Sequence, residues 1–330
     1  MKAIVHHDIE GFDGLTFTEF EQAPLKKGTV RVRLKTAGLN HRDLFTLRNH
    51  KPDQPPVIIG SDGAGIIEAI GEDVDGLRIG DEVIVIPSLG WREKSAAPPK
   101  NFEILGFPSH GTLAETIVLP AENVAPKPSF LDWEQAGVLC LGALTGYRAL
   151  VTRAKVEKGQ TVFIPGVGSG VATFLVQMAK ALGARVIVSS RSEEKREKAI
   201  KLGADRAIDS NSDWEKLLKE ETIDVVIESV GAATWQRSLN SLKPGGTVVV
   251  FGASAGDEVT LNLRDFFYGQ YNLLGSTMGS IEECHEMLHF IQEHRIMPIV
   301  DSVYHLKDTR EALRKLEQGE QFGKIAITIE

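Results

Sequence analysis

The 330-residue sequence contains only two cysteines, Cys140 and Cys284, and lacks several other features that define protein classes. Two cysteines are too few for a disulfide framework or a four-cysteine zinc site. No apolar run approaches the roughly 20 residues of a membrane-spanning helix. The beginning, MKAIVHHDIEGF, has no apolar segment typical of a secretion signal. We therefore expect a cytoplasmic protein that does not engage a membrane.

Positive charge is also scarce, with 37 Lys and Arg against 45 Asp and Glu and a formal net charge of -8. Binding to a nucleic acid backbone depends on clustered basic residues, so nucleic acid is not an expected partner. The remaining composition is ordinary for a globular protein, and chains longer than about 250 residues usually divide into two cores. We expect a small-molecule substrate and two domains.

The pattern of the chain changes near residue 125. The preceding residues are rich in Gly and Pro, with short β-favouring runs between turns, which predicts a mostly β domain. From Thr161 onwards, strand and helix patterns alternate, which predicts βαβ units and a parallel sheet. The last segment, GKIAITIE, suits a strand that returns to the first domain. The predicted fold is α/β, with one domain formed by residues 1–125 and 276–330 and the other by residues 126–275.

The most informative stretch is TVFIPGVGSGVATFLVQMAKALG, in which a buried strand leads into a glycine-rich turn and an amphipathic helix. Gly166, Gly168 and Gly170 depart from a strict G-x-G-x-x-G motif, but a second strand follows about 20 residues later, as in dinucleotide-binding domains. Glycines let the backbone approach a pyrophosphate, and the helix N-terminus presents unpaired N–H groups. We predict a dinucleotide site; the alternative is a tight strand-to-helix turn without a ligand.

The end of the second strand indicates which dinucleotide binds. NAD sites usually place Asp or Glu there to bind the ribose 2′-hydroxyl. This chain instead has Ser190 and Arg191, with Lys195 one turn later. A guanidinium binds phosphate through parallel charge-assisted hydrogen bonds, so these residues favour NADP(H) over NAD(H). The alternative is that Arg191 and Lys195 are solvated surface charges.

Several segments resemble the medium-chain dehydrogenase/reductase superfamily, and the likeness extends over nearly the whole chain. They include AGLNHRDL, IIGSDGAGIIEAIGEDV, GTLAETIVLP, LTGYRAL, SLKPGGTVVVFGA and LLGSTMGS. The chain looks most like the zinc-free quinone and enone reductase branch. The resemblance implies a GroES-like, mostly β substrate domain with an inserted Rossmann-type, doubly wound parallel sheet. It also implies a homodimer or homotetramer.

The resemblance also implies that the catalytic metal is absent. Where zinc-dependent relatives have a Cys and a His–Glu pair, this chain has Asn40, Ser61 and Asp62, and Leu141 takes the third ligand position. Catalytic zinc needs three protein ligands from thiolate, imidazole and carboxylate groups, so no zinc is expected. Asn40 and Ser61 become candidate hydrogen-bond donors to the substrate, with a structural role as the alternative. Asp43 matches the family's acid behind the metal or nicotinamide, where it either takes part in catalysis or only orders its neighbours.

Other positions are implied to contact the cofactor. His41 falls where relatives contact the pyrophosphate. Gly231, Gly252 and Ala253 end predicted strands, where open α/β sheets bind ligands. The remaining cofactor-contacting candidates are Thr145, Val171, Ser276 and Thr277.

Without a Lewis acid, an acceptor must itself delocalise the incoming charge, and a conjugated enone or quinone does so. We therefore predict a zinc-independent oxidoreductase that transfers hydride from NADPH to a quinone, enone or other activated carbonyl compound. One alternative is a zinc-dependent alcohol dehydrogenase of the same fold. Another is a non-catalytic NADPH-binding sensor or assembly protein. The sequence identifies no proton donor.

Overall fold

The computed structural model describes all 330 residues, which form two compact units. The first comprises Met1–Leu144 and Gly279–Glu330, and the second comprises Thr145–Met278. The predicted boundary assigned residues 126–144 to the second domain. In the structure they belong to the first unit. The reason is close packing, because a Cβ on Gly137 would lie 2.7 Å from Cβ of Thr36 in that unit.

The N-terminal part of the first unit is mostly β structure, as predicted. The main sheet of the unit has seven strands, five from this part and two from the C-terminal residues, and a three-stranded sheet and a two-stranded pair accompany it. The strands are β1 (Lys2–His6), β2 (Leu15–Glu19), β3 (Thr29–Gly38), β4 (Val57–Ile58), β5 (Asp62–Ile70), β6 (Glu82–Val85), β7 (Ser88–Leu89), β8 (Glu103–Ile104), β9 (Thr116–Pro120) and β10 (Val124–Pro126). In β3, buried Val30, Val32 and Leu34 alternate with less buried residues, the period expected of a strand on a core.

Helix α1 (His41–Asn49) follows β3 directly, and the residues at its start form much of the candidate site. The Asp43 carboxylate accepts a hydrogen bond from the backbone N–H of Asn40 at 2.7 Å. This bond satisfies one of the donors left free at the beginning of the helix. Two further helices, α2 (Trp133–Gly137) and α3 (Cys140–Tyr147), lead to the second unit.

The second unit is a six-stranded parallel sheet with helices between its strands, which confirms the predicted doubly wound arrangement. Its strands lie in the order β13-β12-β11-β14-β15-β16. They are β11 (Thr161–Ile164), β12 (Arg185–Ser190), β13 (Arg206–Asp209), β14 (Ile223–Glu228), β15 (Leu242–Val250) and β16 (Asn272–Gly275), and the helices are α4 (Gly170–Ala181), α5 (Glu193–Lys201), α6 (Trp214–Leu217), α7 (Trp235–Ser241) and α8 (Leu263–Tyr268). The carboxyl ends of parallel strands share one edge, where such sheets bind ligands.

The C-terminal residues return to the first unit through α9 (Ile281–His294), β17 (Val300–His305), α10 (Thr309–Gln318) and β18 (Lys324–Thr328). Strand β18 pairs antiparallel with β3, with Ala326 opposite Gly38, which confirms the predicted return. Antiparallel strands run in opposite directions. Lys324 precedes Ala326 by two residues, and Asn40 follows Gly38 by two residues, so Lys324 comes opposite Asn40. No helix in the structure has the length and apolar character needed to cross a membrane.

Candidate functional site

The first part of the candidate site is a buried cluster of Asn40, Asp62 and Lys324, called here the Lys324 cluster. The pairing of strands β5 and β18 with β3 brings these residues together. Asp62 of β5 and Ala326 of β18 both lie opposite Gly38, on the two sides of β3, and Lys324 is two residues before Ala326. The Lys324 ammonium donates to Asn40 Oδ1 at 2.5 Å, to Asp62 Oδ2 at 3.1 Å and to the Leu39 carbonyl at 2.8 Å. Lys324 and Asp62 have side-chain exposures of 4% and 0%, so this is a fully buried ion pair.

The remaining hydrogen-bonding groups of the cluster are also satisfied. Asp62 Oδ1 accepts from the backbone N–H of Leu141 at 2.6 Å, and Asp62 Oδ2 accepts from Asn40 Nδ2 at 3.0 Å. The same Asn40 amide nitrogen lies 3.4 Å from the Gly38 carbonyl. The structure therefore brings together Asn40, Asp62 and Leu141, positions to which the family resemblance assigns zinc ligands, and the Lys324 ammonium links the first two.

These residues do not fit a catalytic zinc ion. The Lys324 ammonium between Asn40 and Asp62 would repel a second cation, and Asn40 and Ser61 supply neither thiolate nor imidazole. No group of three or more His, Cys, Asp or Glu side chains is placed to hold a metal ion. Cys140 instead faces Cys284, with their sulfur atoms 3.4 Å apart, and both are buried. That contact and burial raise the pKa of Cys140 well above its ordinary value, which disfavours the thiolate form that binds metals.

Ser61 lies next to the Lys324 cluster and is tied to Arg42 of α1. The Ser61 hydroxyl donates to the Leu105 carbonyl at 2.6 Å and accepts from Arg42 Nη1 at 3.0 Å. Arg42 also donates from Nη1 to the Leu105 carbonyl at 2.8 Å and from Nη2 to the Phe107 carbonyl at 3.4 Å. The hydroxyl hydrogen of Ser61 is therefore used within the protein, as are the amide hydrogens of Asn40.

Asp43 is the acid with the most perturbed environment in this region. Its side chain is 1% exposed, Oδ2 accepts from the Asn40 backbone, and Oδ1 has no hydrogen-bond partner. Burial raises the pKa of Asp43 to about 6, although the Asn40 hydrogen bond and the charges of Arg42 and Lys324 oppose the shift. At neutral pH, Asp43 is thus a buried carboxylate whose ionised form is destabilised.

The second part of the candidate site is the glycine turn between β11 and α4. Gly166 and Gly168 have φ values of +76° and +136°, conformations that L side chains rarely adopt. The Gly166 N–H donates to Ser189 Oγ at 3.3 Å, and the Val167 N–H donates to the Ser189 carbonyl at 2.8 Å. These bonds fix the turn against the end of β12. Gly170 and Val171 begin α4, so the turn opens directly onto a helix N-terminus.

The residues predicted to bind the 2′-phosphate lie beside this turn. A Cβ built on Gly168 would lie 2.9 Å from Cδ and 3.3 Å from Nζ of Lys195, so the ammonium group lies next to the glycines. Ser190 ends β12, and Arg191 follows it with an exposed side chain. Arg196 donates to the carbonyls of Ser190 and Arg191 at 2.8 and 3.3 Å, which orders the segment that carries the proposed phosphate ligands.

The other predicted cofactor positions fall into two groups. Gly231, Gly252, Ala253, Ser276 and Thr277 follow the carboxyl ends of β14, β15 and β16, the same edge as the glycine turn. Gly231 has a φ of +88°, and a Cβ there would lie 3.0 Å from the Cα of Ala253, so these two backbones touch. Thr145 lies buried in α3 within the second unit. His41 is the exposed first residue of α1, in the first unit.

Two charged residues that the sequence analysis did not select are important here. Lys324 is the charged residue at the start of the largely apolar strand segment KIAIT. A charged residue in such a strand is the signal that could have identified it. Glu228 is fully buried at the end of β14, where it accepts from the N–H groups of Val230 and Gly231. Hydroxyls of Thr234 and Ser238 complete its partners, and this network fixes the turn containing Gly231.

Both units match family models. An alcohol dehydrogenase GroES-like domain matches residues 26–129, and a zinc-binding dehydrogenase domain matches residues 170–293. The chain belongs to the medium-chain dehydrogenase/reductase superfamily and is an oxidoreductase of that family. The predicted combination of a GroES-like domain with a Rossmann-type sheet is confirmed.

Similar proteins match all or most of the chain. A zinc-type alcohol dehydrogenase-like protein of Schizosaccharomyces pombe is 34% identical, over 100% of this chain and 99% of its own. An acryloyl-coenzyme A reductase of Sulfurisphaera tokodaii is 29% identical, over 91% of this chain and 92% of its own.

Solved structures show the same fold. An NAD-dependent alcohol dehydrogenase superposes with a TM-score of 0.92 at 33% identity, covering 100% of both chains. A 2-octenoyl-CoA carboxylase reductase in complex with NADP and 2-octenoyl-CoA superposes with a TM-score of 0.90 at 25% identity, covering 99% of this chain and 87% of the other.

Proposed function

We propose that this oxidoreductase is a zinc-independent reductase that transfers hydride from NADPH to an enone, quinone or other activated carbonyl compound. The observation that carries the proposal is the Lys324 cluster. An ammonium group is buried between Asn40 and Asp62, two positions at which zinc-dependent relatives have metal ligands. The protein thus buries a fixed positive charge between two side chains to which the family resemblance assigns the positions of metal ligands.

This substitution restricts the chemistry. A zinc ion binds a carbonyl oxygen directly and stabilises a developing alkoxide by several kcal/mol. All three N–H groups of Lys324 already have partners, so the ammonium contributes its charge but no free hydrogen bond to a substrate. An isolated ketone or alcohol depends more on direct metal binding than a conjugated acceptor, whose π system spreads the charge. The site therefore favours a conjugated acceptor.

We assign positioning roles to Asn40 and Ser61. Their donor hydrogens are used by Asp62, Gly38 and Leu105, so neither presents a free donor in this arrangement. Asn40 holds Lys324, and Ser61 holds Arg42. Asp43 helps to fix the start of α1 and, through its buried charge, favours positive charge nearby.

NADPH would be held by the glycine turn and the residues beyond β12. Bound NADPH supplies the hydride, and the protein supplies its placement. Gly166 and Gly168 have no side chain to keep a pyrophosphate from their backbone. Ser190, Arg191 and Lys195 offer a hydroxyl and two cations to a 2′-phosphate. The NADP complex of a structural relative supports this preference, whereas another relative is NAD-dependent. Two relatives are named for acryloyl-CoA and 2-octenoyl-CoA, which are conjugated acyl thioesters and support the acceptor class.

The test is NADPH oxidation with a panel of quinones, enones and simple ketones, in the presence of a chelator and after metal analysis. We expect turnover of conjugated acceptors by metal-depleted protein. Activity that appears only with stoichiometric zinc, and then towards alcohols, would instead indicate a zinc-dependent alcohol dehydrogenase. NADPH binding without turnover of any panel member would indicate a non-catalytic protein.

A further inference from the structure

We propose that Arg42 is a catalytic residue whose guanidinium hydrogen-bonds the carbonyl oxygen of a neutral conjugated ketone, aldehyde or thioester. There it stabilises the negative charge that hydride addition places on that oxygen. The inference rests on the proposed reductase function and names the residue that takes over the electrophilic part of the metal's role.

The first observation is that the hydrogen-bonding capacity of Arg42 is not exhausted. A guanidinium has five N–H donors. Three are accounted for by Ser61 Oγ, the Leu105 carbonyl and the Phe107 carbonyl. Two donors remain for a ligand, in contrast to the fully engaged ammonium of Lys324.

The second observation concerns charge. All three partners of Arg42 are neutral oxygens, and no carboxylate forms an ion pair with it. A guanidinium stays protonated in proteins, although burial lowers the pKa of Arg42. The nearby charge of Asp43 favours the charged form of Arg42 but forms no ion pair with it, so the desolvated guanidinium can still attract an oxygen that becomes negative during the reaction.

The third observation is accessibility. Lys324, Ser61 and Asn40 are buried, whereas Arg42 keeps partial exposure. Arg42 also bonds directly to Ser61, which occupies the position of a metal-binding histidine in zinc-dependent relatives. Of these four side chains, Arg42 is therefore the one that is not fully buried, and it carries a positive charge. Its contacts to Ser61 and to the 105–107 segment hold it in place before the substrate arrives, which is the condition under which such donors are most effective.

The proposed reduction is a conjugate addition of hydride followed by protonation. Hydride from NADPH forms a C–H bond at the β-carbon of the C=C–C=O unit, and the π electron pair moves to give an enolate with its charge on oxygen. Arg42 hydrogen-bonds that oxygen. A proton from water then adds to the α-carbon, which yields the saturated carbonyl compound and NADP⁺.

The experiment compares Arg42→Gln and Arg42→Lys with Arg48→Gln, a matched control. Arg48 lies on the same helix, but it is exposed and pairs with Glu317 at 2.8 Å. With 3-buten-2-one and NADPH, we expect kcat of Arg42→Gln to fall about 100-fold, the typical effect of removing one donor to an oxyanion. Arg42→Lys should retain more activity, and Arg48→Gln should stay within twofold of wild type. NADPH binding, followed by fluorescence titration, should be unchanged in all three.

A purely structural role is separated by chemical rescue. Added guanidinium ion should restore part of the kcat of Arg42→Ala, whereas lost packing elsewhere would not be restored. Equal kcat in Arg42→Gln and the control would overturn the inference while leaving the reductase function intact. A rise in the KM of Arg42→Gln that is confined to unsaturated carboxylates such as crotonate would also overturn the inference. It would show that Arg42 binds a carboxylate group of the substrate and does not stabilise charge that forms during the reaction. A lack of rescue would also overturn the inference, and a wild-type protein that reduces no acceptor would overturn the proposed function itself.

Discussion

Asp43 provides a quantitative test of the electrostatics at the start of α1. Burial raises its pKa from 3.8 to about 6, so the folded state binds this proton more tightly than the unfolded chain does. Stability should therefore be highest below pH 3.8 as far as this group is concerned, and should fall as pH rises from about 4 to about 6. A shift of about 2 pKa units corresponds to about 3 kcal/mol, since one unit is worth about 1.4 kcal/mol.

Asp43→Asn removes the charge and keeps an oxygen that can accept from the Asn40 backbone. The NH2 group of the new asparagine would lie where Asp43 Oδ1 has no hydrogen-bond partner. An unsatisfied buried donor is unfavourable, so it offsets part of the stability gained by removing the buried charge. We expect the variant to be about 1–3 kcal/mol more stable than wild type at pH 8, with this advantage declining towards pH 4. Urea unfolding at both pH values measures the difference, and Asp75→Asn, at an exposed position, is the control. An Asp43 variant that is less stable at pH 8, or a difference independent of pH, would refute the reasoning.

Three other substitutions test the two parts of the site. Lys324→Met leaves Asp62 buried without its cation and should lower the free energy of unfolding by about 3–5 kcal/mol, measured by urea unfolding; a change below 1 kcal/mol would contradict the buried ion pair. Gly168→Val combines a φ of +136° with a clash against Lys195, so NADPH binding by fluorescence titration should be lost and the thermal unfolding midpoint should fall; unchanged NADPH binding would contradict a pyrophosphate site at this turn. Arg191→Ala should weaken NADPH binding about tenfold or more without affecting NADH, and equal losses for both cofactors would argue against a 2′-phosphate contact.

The local patterns of the sequence predicted the second unit well. A short apolar run followed by glycines predicted β11 and the start of α4, because a strand, a turn and an amphipathic helix each have a distinct residue period. Helices α7 and α8 and strand β16 were not predicted, since they are short and α8 has no buried residue to set a period. The boundary near residue 125 was placed too early because the packing of α2 on β3 is a tertiary contact.

The sequence predicted which residues belong to the candidate site but not the hydrogen bonds between them. Family resemblance placed Asn40, Ser61 and Asp62 near one another, but which hydrogen atoms remain free depends on their partners. Lys324 is 262 residues from Asp62 in sequence, and only the strand register brings them together. Ser61 and Arg42 are held by the 105–107 segment, whose sequence has no clear period.

The proposed hydride transfer without zinc can be followed by deuterium transfer in protein shown to be free of metal. Protein treated with a chelator and checked by mass spectrometry for zinc would be given NADPH deuterated at the transferred C4 position, together with 3-buten-2-one. We expect butan-2-one carrying one deuterium at the β-carbon, formed without any added metal. No deuterated product until zinc is restored would contradict the proposed transfer.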